Sequence, residues 1–205
     1  MTTRDVALHA SNIRLEPLDR RHIAGLTAAS SSDREPYAMS FVPRGEDAVR
    51  QYVETALAWA AAGHASPYAI VRQGDDAVIG STRFFALERW PWPPSRPQAN
   101  RYDTGEIGYT WLRADAIRTA ANTEAKLLLL TQAFESWGMR SVCFHTDARN
   151  ARSRAAIERI GAQFEGILRA HRMATDFSPR DSARYSIIAS EWPGVKAHIA
   201  ALLAH

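Results

Sequence analysis

The sequence has one cysteine, two lysines and no long apolar run. Because Cys143 is alone, an intramolecular disulfide and a cysteine-based metal site are both excluded, and its apolar neighbours predict a buried, inert thiol. No apolar stretch approaches the roughly 18 residues that a membrane-spanning helix needs, and residues 1–18 lack the apolar core of a signal peptide. We therefore expect a cytoplasmic protein that does not associate with membranes.

The charge pattern is dominated by arginine. Lys126 and Lys196 are the only lysines among 25 basic residues, and 22 acidic residues leave a formal net charge of +3. Several arginines lie between Arg149 and Arg172, and the guanidinium group suits phosphate and carboxylate ligands. This cluster predicts either an anionic ligand or a solvated basic face.

The length and hydropathy pattern favour one globular domain with a mixed α/β sheet. A chain of 205 residues with 46% hydrophobic and 23% charged residues is typical of a single soluble domain, which we predict over residues 1–205. Alternation predicts strands at residues 12–18, within 67–85, and at 106–112, 140–147, 166–173 and 183–190. Helical spacing predicts helices at residues 18–30, 45–62, 123–137, 150–160 and 195–205. Asp19 is a predicted N-cap, and Gly63 and Gly161 are predicted to end helices.

An irregular segment, residues 86–105, carries four prolines and two tryptophans between two predicted strands. Segments of this length inside compact domains are usually functional or disordered. Trp90 and Trp92 therefore predict contact with a substrate or partner. The alternative is a structural flap that packs on its own aromatic rings.

The stretch RTAANTEAKLLLL, residues 118–130, has the order of a phosphate-binding loop that runs into a helix, yet it contains no glycine. The first N–H groups of a helix are unpaired and its dipole is positive there, so a loop delivered to this point by a strand creates an anion site. Alanine has the same backbone N–H as glycine. Ala120 and Ala121 can therefore donate to a phosphate if their φ angles are negative.

Three segments resemble the GNAT superfamily of acyl-CoA N-acyltransferases, in particular its RimJ/RimL-like branch. They are EIGYTWL at residues 106–112, the loop and helix that follow, and DARNARSRAAIERIGA at residues 147–162. The resemblance implies a GNAT-like domain with a central mixed, mostly antiparallel twisted sheet flanked by helices. It also implies acetyl-CoA as co-substrate and no metal.

In this family a loop of the form Q/R-x-x-G-x-G/A binds the coenzyme A pyrophosphate through main-chain N–H groups. Ala120 and Asn122 stand at the two small positions here, and Ile117 stands at the basic position with Arg118 beside it. The resemblance implies that the following residues bind the cofactor: Arg118, Thr119, Ala120, Ala121, Asn122 and Thr123.

The second matching segment implies contacts with the pantetheine arm. Asn150 and Ser153 lie three positions apart, on the same side of a first helical turn, although Asn150 is also a good N-cap residue. Many relatives carry a tyrosine that protonates the leaving thiolate, and Ile157 stands in its place. Ser153 is therefore the candidate for a hydrogen bond to the thiolate.

The resemblance further implies direct attack of a neutral amine on the thioester, with a carboxylate taking up the proton. Glu106 is the candidate general base, on a strand whose alternation predicts one face for Glu106 and the other for Tyr109 and Trp111. Backbone N–H groups around Trp111 and Leu112 would hold the thioester carbonyl. A glutamate at the start of a strand can equally be a solvated edge residue.

The histidines predict no metal centre. His145 and Asp147 lie two positions apart without a third ligand at a useful spacing. His64 follows a predicted helix, where a histidine is usually just exposed.

The predicted partner is an amine substrate, either a peptide N-terminus or a small molecule, and a homodimer is one expectation because many relatives dimerise. A non-catalytic acyl-CoA-binding module is the alternative, since the loop lacks glycine and the family tyrosine is absent. A third interpretation is a nucleic-acid patch, which predicts salt-dependent binding. Coenzyme A phosphates account for one or two of its arginines, so we expect no nucleic-acid partner. The six arginines of this patch are Arg149, Arg152, Arg154, Arg159, Arg169 and Arg172.

Overall fold

A computed structural model describes residues 6–31, 37–95 and 101–204, which form eight strands and five α-helices. The strands are β1 (Leu8–His9), β2 (Ile13–Pro17), β3 (Ala65–Arg72), β4 (Val78–Glu88), β5 (Thr104–Leu112), β6 (Ser141–Asp147), β7 (Gln163–Met173) and β8 (Pro179–Ile188). The α-helices are α1 (Ile23–Ser30), α2 (Gly45–Ala61), α3 (Ala121–Thr131), α4 (Ala151–Arg159) and α5 (Trp192–Leu203).

The eight strands form one sheet in the order β1-β2-β3-β4-β5-β6-β8-β7. Strands β5 and β6 pair in parallel, whereas β1–β2, β2–β3, β3–β4, β6–β8 and β7–β8 pair antiparallel. The predicted mixed α/β class with a mostly antiparallel sheet is therefore confirmed.

The chain divides into two compact units. The first unit comprises Met1–Phe85 and Gly108–Leu128, and the second comprises Ala86–Ile107 and Leu129–His205. The single domain over residues 1–205 stays a prediction.

The core of the first unit lies where α1 and α2 pack against β3. Leu26, Val49 and Val53 are fully buried, and burial of each such side chain contributes roughly 1.5–3 kcal/mol. The N-cap at Asp19 is confirmed, because its carboxylate accepts a hydrogen bond from the Arg21 N–H at the start of a 3-10 turn that leads into α1. Gly63 has a φ of 77° just after α2, a left-handed conformation that favours glycine and ends the helix.

The second unit is built on β6, β7 and β8 with α4 and α5. Phe134 stacks on Trp192 of α5 with ring centroids 5.4 Å apart, and the Trp192 indole donates to Glu135 at 2.8 Å. These contacts occur in a π-helical segment, Gln132–Ser136, that follows α3. The prediction of one regular α-helix over residues 123–137 is wrong at residues 132–136, which form a wider, π-helical turn. In this turn Phe134 and Glu135 contact Trp192 of α5.

Most element boundaries agree with the sequence patterns within a few residues. Strand β1 was not predicted, since two residues carry no usable period. Strand β4 continues to Glu88 and β5 begins at Thr104, so the irregular segment is shorter than predicted, and its residues 96–100 lie outside the described part of the chain. Cys143 is half-buried rather than buried, and burial raises the pKa of its thiol. No helix in the described residues is long and apolar enough to cross a membrane.

Strand β5 does not alternate as predicted. Tyr109 has a φ of 51°, a left-handed conformation that is rare for an aromatic residue. Its side chain is 41% exposed, whereas Trp111 is 5% exposed, so the two residues do not share a buried face. The strand is distorted at Tyr109.

Lys126 of α3 is buried, with 6% of the residue exposed. Its ammonium donates to the Thr110 hydroxyl at 2.9 Å, and burial lowers the pKa of the ammonium to about 7. A lysine in this environment costs stability while it is charged.

We predict that the free energy of unfolding rises with pH between about 7 and 10, because there the unfolded chain binds a proton at Lys126 that the folded chain does not. One such proton gives a slope of at most about 1.4 kcal/mol per pH unit. Denaturant unfolding of wild type and Lys126→Met over this range should show the variant more stable near pH 7, with the difference shrinking as pH rises. Lys196→Met, at a half-exposed position, is the control. A difference that does not vary with pH would contradict the assignment.

Candidate active site

The junction between β5 and α3 lies in the first unit and presents unpaired backbone donors. Helix α3 begins at Ala121, and the Glu124 N–H donates to the Ala120 carbonyl at 2.9 Å. The backbone N–H groups of the turn have no hydrogen-bond partner among the described residues at four positions, which are Arg118, Thr119, Ala120 and Asn122. Such donors at the start of an 11-residue helix favour an anion.

The glycine-free turn takes its left-handed conformation at Arg118, where φ is 65°. Ala120 and Ala121 have negative φ, as donation to a phosphate requires. The Ala121 N–H, however, already donates to the Thr119 hydroxyl at 3.2 Å, and that hydroxyl donates to the Ala116 carbonyl at 2.8 Å. Thr119 therefore caps the helix, and the Ala121 N–H, one of the predicted donors, is engaged within the turn.

The carboxylate of Glu124 holds the first turn of α3 in place. Glu124 is 3% exposed and accepts hydrogen bonds from the Asn12 side chain at 2.7 Å and from the Asn12 and Ile13 N–H groups at 3.1 Å. These neutral donors stabilise the buried carboxylate and fix its orientation. Thr123 is also buried in this turn.

The end of β5 is held rigidly before the turn. The Leu112 carbonyl accepts a hydrogen bond from the Tyr37 hydroxyl at 2.7 Å. Gly80 of β4 approaches so closely that a Cβ there would lie 2.1 Å from the Trp111 carbonyl oxygen. The Trp111 indole N–H is buried without a partner among the described residues. The backbone at Trp111 and Leu112 is thus well fixed for any contact that its N–H groups make.

Glu106 lies in the second unit and is not a solvated edge residue. It is 4% exposed and receives the Arg172 guanidinium on both oxygens, with Nη2 at 2.7 Å from Oε2 and Nη1 at 3.3 Å from Oε1. His145 Nδ1 also lies 2.9 Å from Oε2, but the ring is turned so that neither nitrogen makes a hydrogen bond within the described residues. The buried carboxylate of Glu106 thus contacts one guanidinium and one imidazole.

A second histidine completes this cluster. The rings of His145 and His171 lie 4.8 Å apart between centroids, and both are largely buried. Burial and the neighbouring charge of Arg172 lower the pKa of His171. The imidazole of His171 is therefore neutral over a wider pH range than a free histidine.

Asn150 and Ser153 come together at the start of α4, also in the second unit. The Asn150 side chain accepts a hydrogen bond from the Ser153 N–H at 3.0 Å, which makes Asn150 the N-cap. Arg149 pairs with Asp147 at 2.8 Å and lowers the pKa of that carboxyl. Ile157, which replaces the family tyrosine, is buried. The helix-start role of Asn150 leaves its amide nitrogen and the Ser153 hydroxyl as the groups for a cofactor.

Trp90 and Trp92 are tied to the buried carboxylate of Asp103. Asp103 is 0% exposed and accepts hydrogen bonds from the Trp90 N–H at 2.8 Å and the Trp92 indole at 3.1 Å. The Arg140 guanidinium lies 3.2 Å from the same carboxylate and 4.4 Å from the centre of the Trp92 ring. These contacts hold the Trp92 ring against Asp103 and Arg140, whereas Trp90 is 43% exposed. Substrate contact by either tryptophan stays a prediction.

Sequence reasoning assigned other roles to two residues that contact Glu106. The sequence pattern presents His145 only as a candidate metal ligand and Arg172 only as a member of the basic cluster. Parallel pairing of β5 with β6 sets Glu106 opposite Cys143, which brings His145 near, but this register is not visible in a local pattern. Among the six clustered arginines, Arg149 pairs with Asp147, Arg154 with Tyr185, and Arg172 with Glu106.

Comparisons with known proteins agree with this architecture. A family model described as an acetyltransferase (GNAT) domain matches residues 12–163. A GCN5-related N-acetyltransferase from Brucella melitensis has a TM-score of 0.81 and 26% identity, with 98% of this chain and 86% of that chain covered. A protein from T. thermophilus assigned as an acetyltransferase has a TM-score of 0.77 and 32% identity, with 99% and 100% covered.

RimL, the ribosomal L7/L12 α-N-protein acetyltransferase solved in complex with coenzyme A, has a TM-score of 0.71 and 18% identity, with 89% of this chain and 97% of that chain covered. Curated protein sequences give no match. The chain belongs to the GNAT acetyltransferase family, and this confirms the resemblance noted in the sequence. RimL, from the branch that the sequence resembles, shares the fold.

We predict that Asp103→Asn destabilises the second unit by about 2 kcal/mol, because hydrogen bonds to a charged acceptor contribute roughly 1.5–3 kcal/mol and the amide cannot accept from all three donors. Thermal unfolding of the variant measures this loss. Asp47→Asn, an exposed change at the start of α2, should cost less than about 1 kcal/mol. Equal stability of the two variants would show that Asp103 does not hold the tryptophan segment.

Proposed function

We propose that the chain is an acetyl-CoA-dependent N-acetyltransferase that acts on a primary amine. The observation that carries the proposal is the row of unpaired backbone N–H groups, among the described residues, where the glycine-free turn meets α3. These donors fit a pyrophosphate, because a helix start with a left-handed residue just before it forms a concave set of amides. GNAT family membership supports the same cofactor.

The proposed roles of the residues are as follows. Acetyl-CoA, when bound, supplies the activated acetyl group. The N–H groups of the turn hold its phosphates, and the backbone of Trp111 and Leu112 orients the thioester. Asn150 and Ser153 contact the pantetheine arm, and the Ser153 hydroxyl donates a hydrogen bond to the thiolate that leaves.

Glu106 is the proposed general base, taking the proton of the amine directly or through a water. Its Oε2 is held at 2.7 Å by Arg172, whereas Oε1 is held at 3.3 Å, so Oε1 is the better placed to accept a proton. Arg172 fixes the orientation of the carboxylate, and His145 lies 2.9 Å from its Oε2. Arg172 and His145 are positioning residues in this proposal.

The acceptor class is proposed from the RimL structure. RimL is named for acetylation of the α-amine of ribosomal L7/L12, and it shares this fold. A protein N-terminus is therefore one candidate acceptor and a small amine is the other, in a cytoplasmic setting. Trp90 is the exposed aromatic residue proposed to contact the acceptor.

We expect acetyl-CoA to raise the unfolding midpoint of the wild type by about 5 to 10 °C at 100 times its Kd, while adenosine does not. Asn122→Pro removes one unpaired N–H in the first turn of α3, where proline is tolerated, and should weaken acetyl-CoA binding roughly tenfold or more. Asn122→Ala keeps the N–H and is the matched control. The loop assignment is wrong if proline and alanine bind acetyl-CoA equally well.

We predict that Glu106→Gln lowers kcat by a factor of about 100 or more with little change in KM for acetyl-CoA, because glutamine keeps the shape but cannot take up the proton. Initial rates of coenzyme A release with a panel of amines measure the effect. Glu165→Gln removes another glutamate that pairs with an arginine in the same unit and should leave kcat within threefold. Wild-type protein that binds acetyl-CoA yet acetylates no amine would support the non-catalytic binding module instead.

A further inference from the structure

The most deeply buried guanidinium of the first unit has no acidic partner among the described residues. Arg83 of β4 is 1% exposed, and no carboxylate of the described residues lies within 4 Å of it. Its Nε and Nη2 are buried without a hydrogen-bond partner among those residues. A buried cation with unpaired donors costs several kcal/mol, so a compensating group is expected.

Aromatic rings supply part of that compensation. The guanidinium carbon lies 4.5 Å from the ring centre of Tyr52, 4.4 Å from that of Tyr109 and 5.7 Å from that of Trp59. Cation–π contacts of this kind contribute about 0.5–2 kcal/mol each, but they act on the faces of the guanidinium. They leave its Nε–Nη2 edge without an acceptor.

Other arginines of the chain indicate which group the Nε–Nη2 edge of a guanidinium binds. In four other arginines the Nε and Nη2 donors pair side by side with the two oxygens of one carboxylate. The pairs are Arg20 with Glu54, Arg72 with Asp75, Arg113 with Asp115, and Arg149 with Asp147. The same edge of Arg83 is the one that lacks a partner among the described residues. Two parallel donors match one carboxylate.

The location of Arg83 fits an acceptor site. The Tyr52 ring contacts both Arg83 and Trp111, the latter at 6.5 Å between ring centres. Tyr109, whose ring also lies against Arg83, precedes Trp111 by two residues in β5. Arg83 therefore lies close to the backbone that is proposed to orient the thioester.

Tyr109 separates the guanidinium from solvent. Its ring covers one face of Arg83 while it is itself 41% exposed, and its backbone is in the left-handed region. Strained residues of this kind are concentrated at ligand sites. Rotation of the Tyr109 side chain would uncover that face of the guanidinium and give a ligand a path toward Arg83.

We propose that Arg83 binds a carboxylate of the acceptor, so that the substrate is an amine that also carries an acidic group, either a free amino acid or an acidic peptide. This inference rests on the proposed N-acetyltransferase function. The carboxylate makes two parallel hydrogen bonds to Nε and Nη2, and the aromatic walls exclude water around them.

The test compares acceptors that differ only in the acidic group. Free amino acids are paired with their carboxamides, and short peptides with Asp or Glu at the second position are paired with the Asn or Gln versions. Wild type should acetylate the acid of one class with a kcat/KM at least tenfold above its neutral partner. The class that shows the preference identifies the source of the carboxylate.

Variants at Arg83 test whether this residue causes the preference for the acidic acceptor. Arg83→Met should lower kcat/KM for the acid at least tenfold and leave the neutral partner within threefold. Arg83→Lys keeps the charge without the fork and should lose at least fivefold of the preference, which decides the matter if the methionine variant does not fold. Arg20→Met, an exposed change in the same unit, should keep the full preference. Equal rates for every pair in wild type, or equal losses on both members in the variants, would overturn the proposal.

Calorimetry separates this inference from the enzyme assignment. The same acids and neutral partners are titrated into wild type, Arg83→Met and Arg83→Lys with saturating coenzyme A present. Binding of an acid to wild type that both variants lose supports the Arg83 site, even if no amine is acetylated. Absence of acid binding to wild type overturns the site, even if a neutral amine is acetylated and the enzyme assignment stands.

Discussion

The position of α3 depends on one buried carboxylate. Three N–H donors from Asn12 and Ile13 converge on Glu124, which is 3% exposed. Breaking such a buried arrangement typically costs about 3–5 kcal/mol, because a charge is left without partners. The start of α3 is therefore held to the start of β2. The orientation of the N–H groups just before Glu124, including those of Ala120 and Asn122, follows from this contact.

Buried acids organise the second unit in a similar way. Asp103 ties the two tryptophans and Arg140 together, and Glu106, three residues later, receives Arg172. One carboxylate thus stabilises a segment with little regular structure, while the other is held in a single orientation. The chemistry expected of Glu106 needs that orientation, since a base acts only within hydrogen-bond reach of its proton.

Local patterns predicted most of the elements and the segments of the proposed site. The apolar spacing of Val49 and Val53 predicted α2, and the strand, loop and helix order around Ala120 predicted the anion site. Asn150 was weighed both as a cap and as a cofactor contact, and the structure shows the cap. These features depend on neighbours within a few residues, which a single sequence displays.

The features that were missed depend on distant residues. Arg172 reaches Glu106 across 66 positions, and its approach requires the positions of β6, β8 and β7 in the sheet. The left-handed backbone of Tyr109 runs against the preference of an aromatic residue and is imposed by tertiary packing against Arg83, Phe85 and Trp59. A local sequence pattern does not predict such a conflict between residue preference and backbone conformation. Conflicts of this kind are concentrated at functional positions.

The scarcity of lysine has a chemical consequence for a protein of this family. Of its two lysines, Lys126 is enclosed beneath Thr110 and Lys196 is held at 2.7 Å by Glu135. Arginine carries nearly all of the positive charge, and its guanidinium is too weakly nucleophilic at neutral pH to accept an acyl group. With the proposed co-substrate bound, the chain would offer the thioester few of its own side-chain amines, so its surface charge would be protected from self-modification.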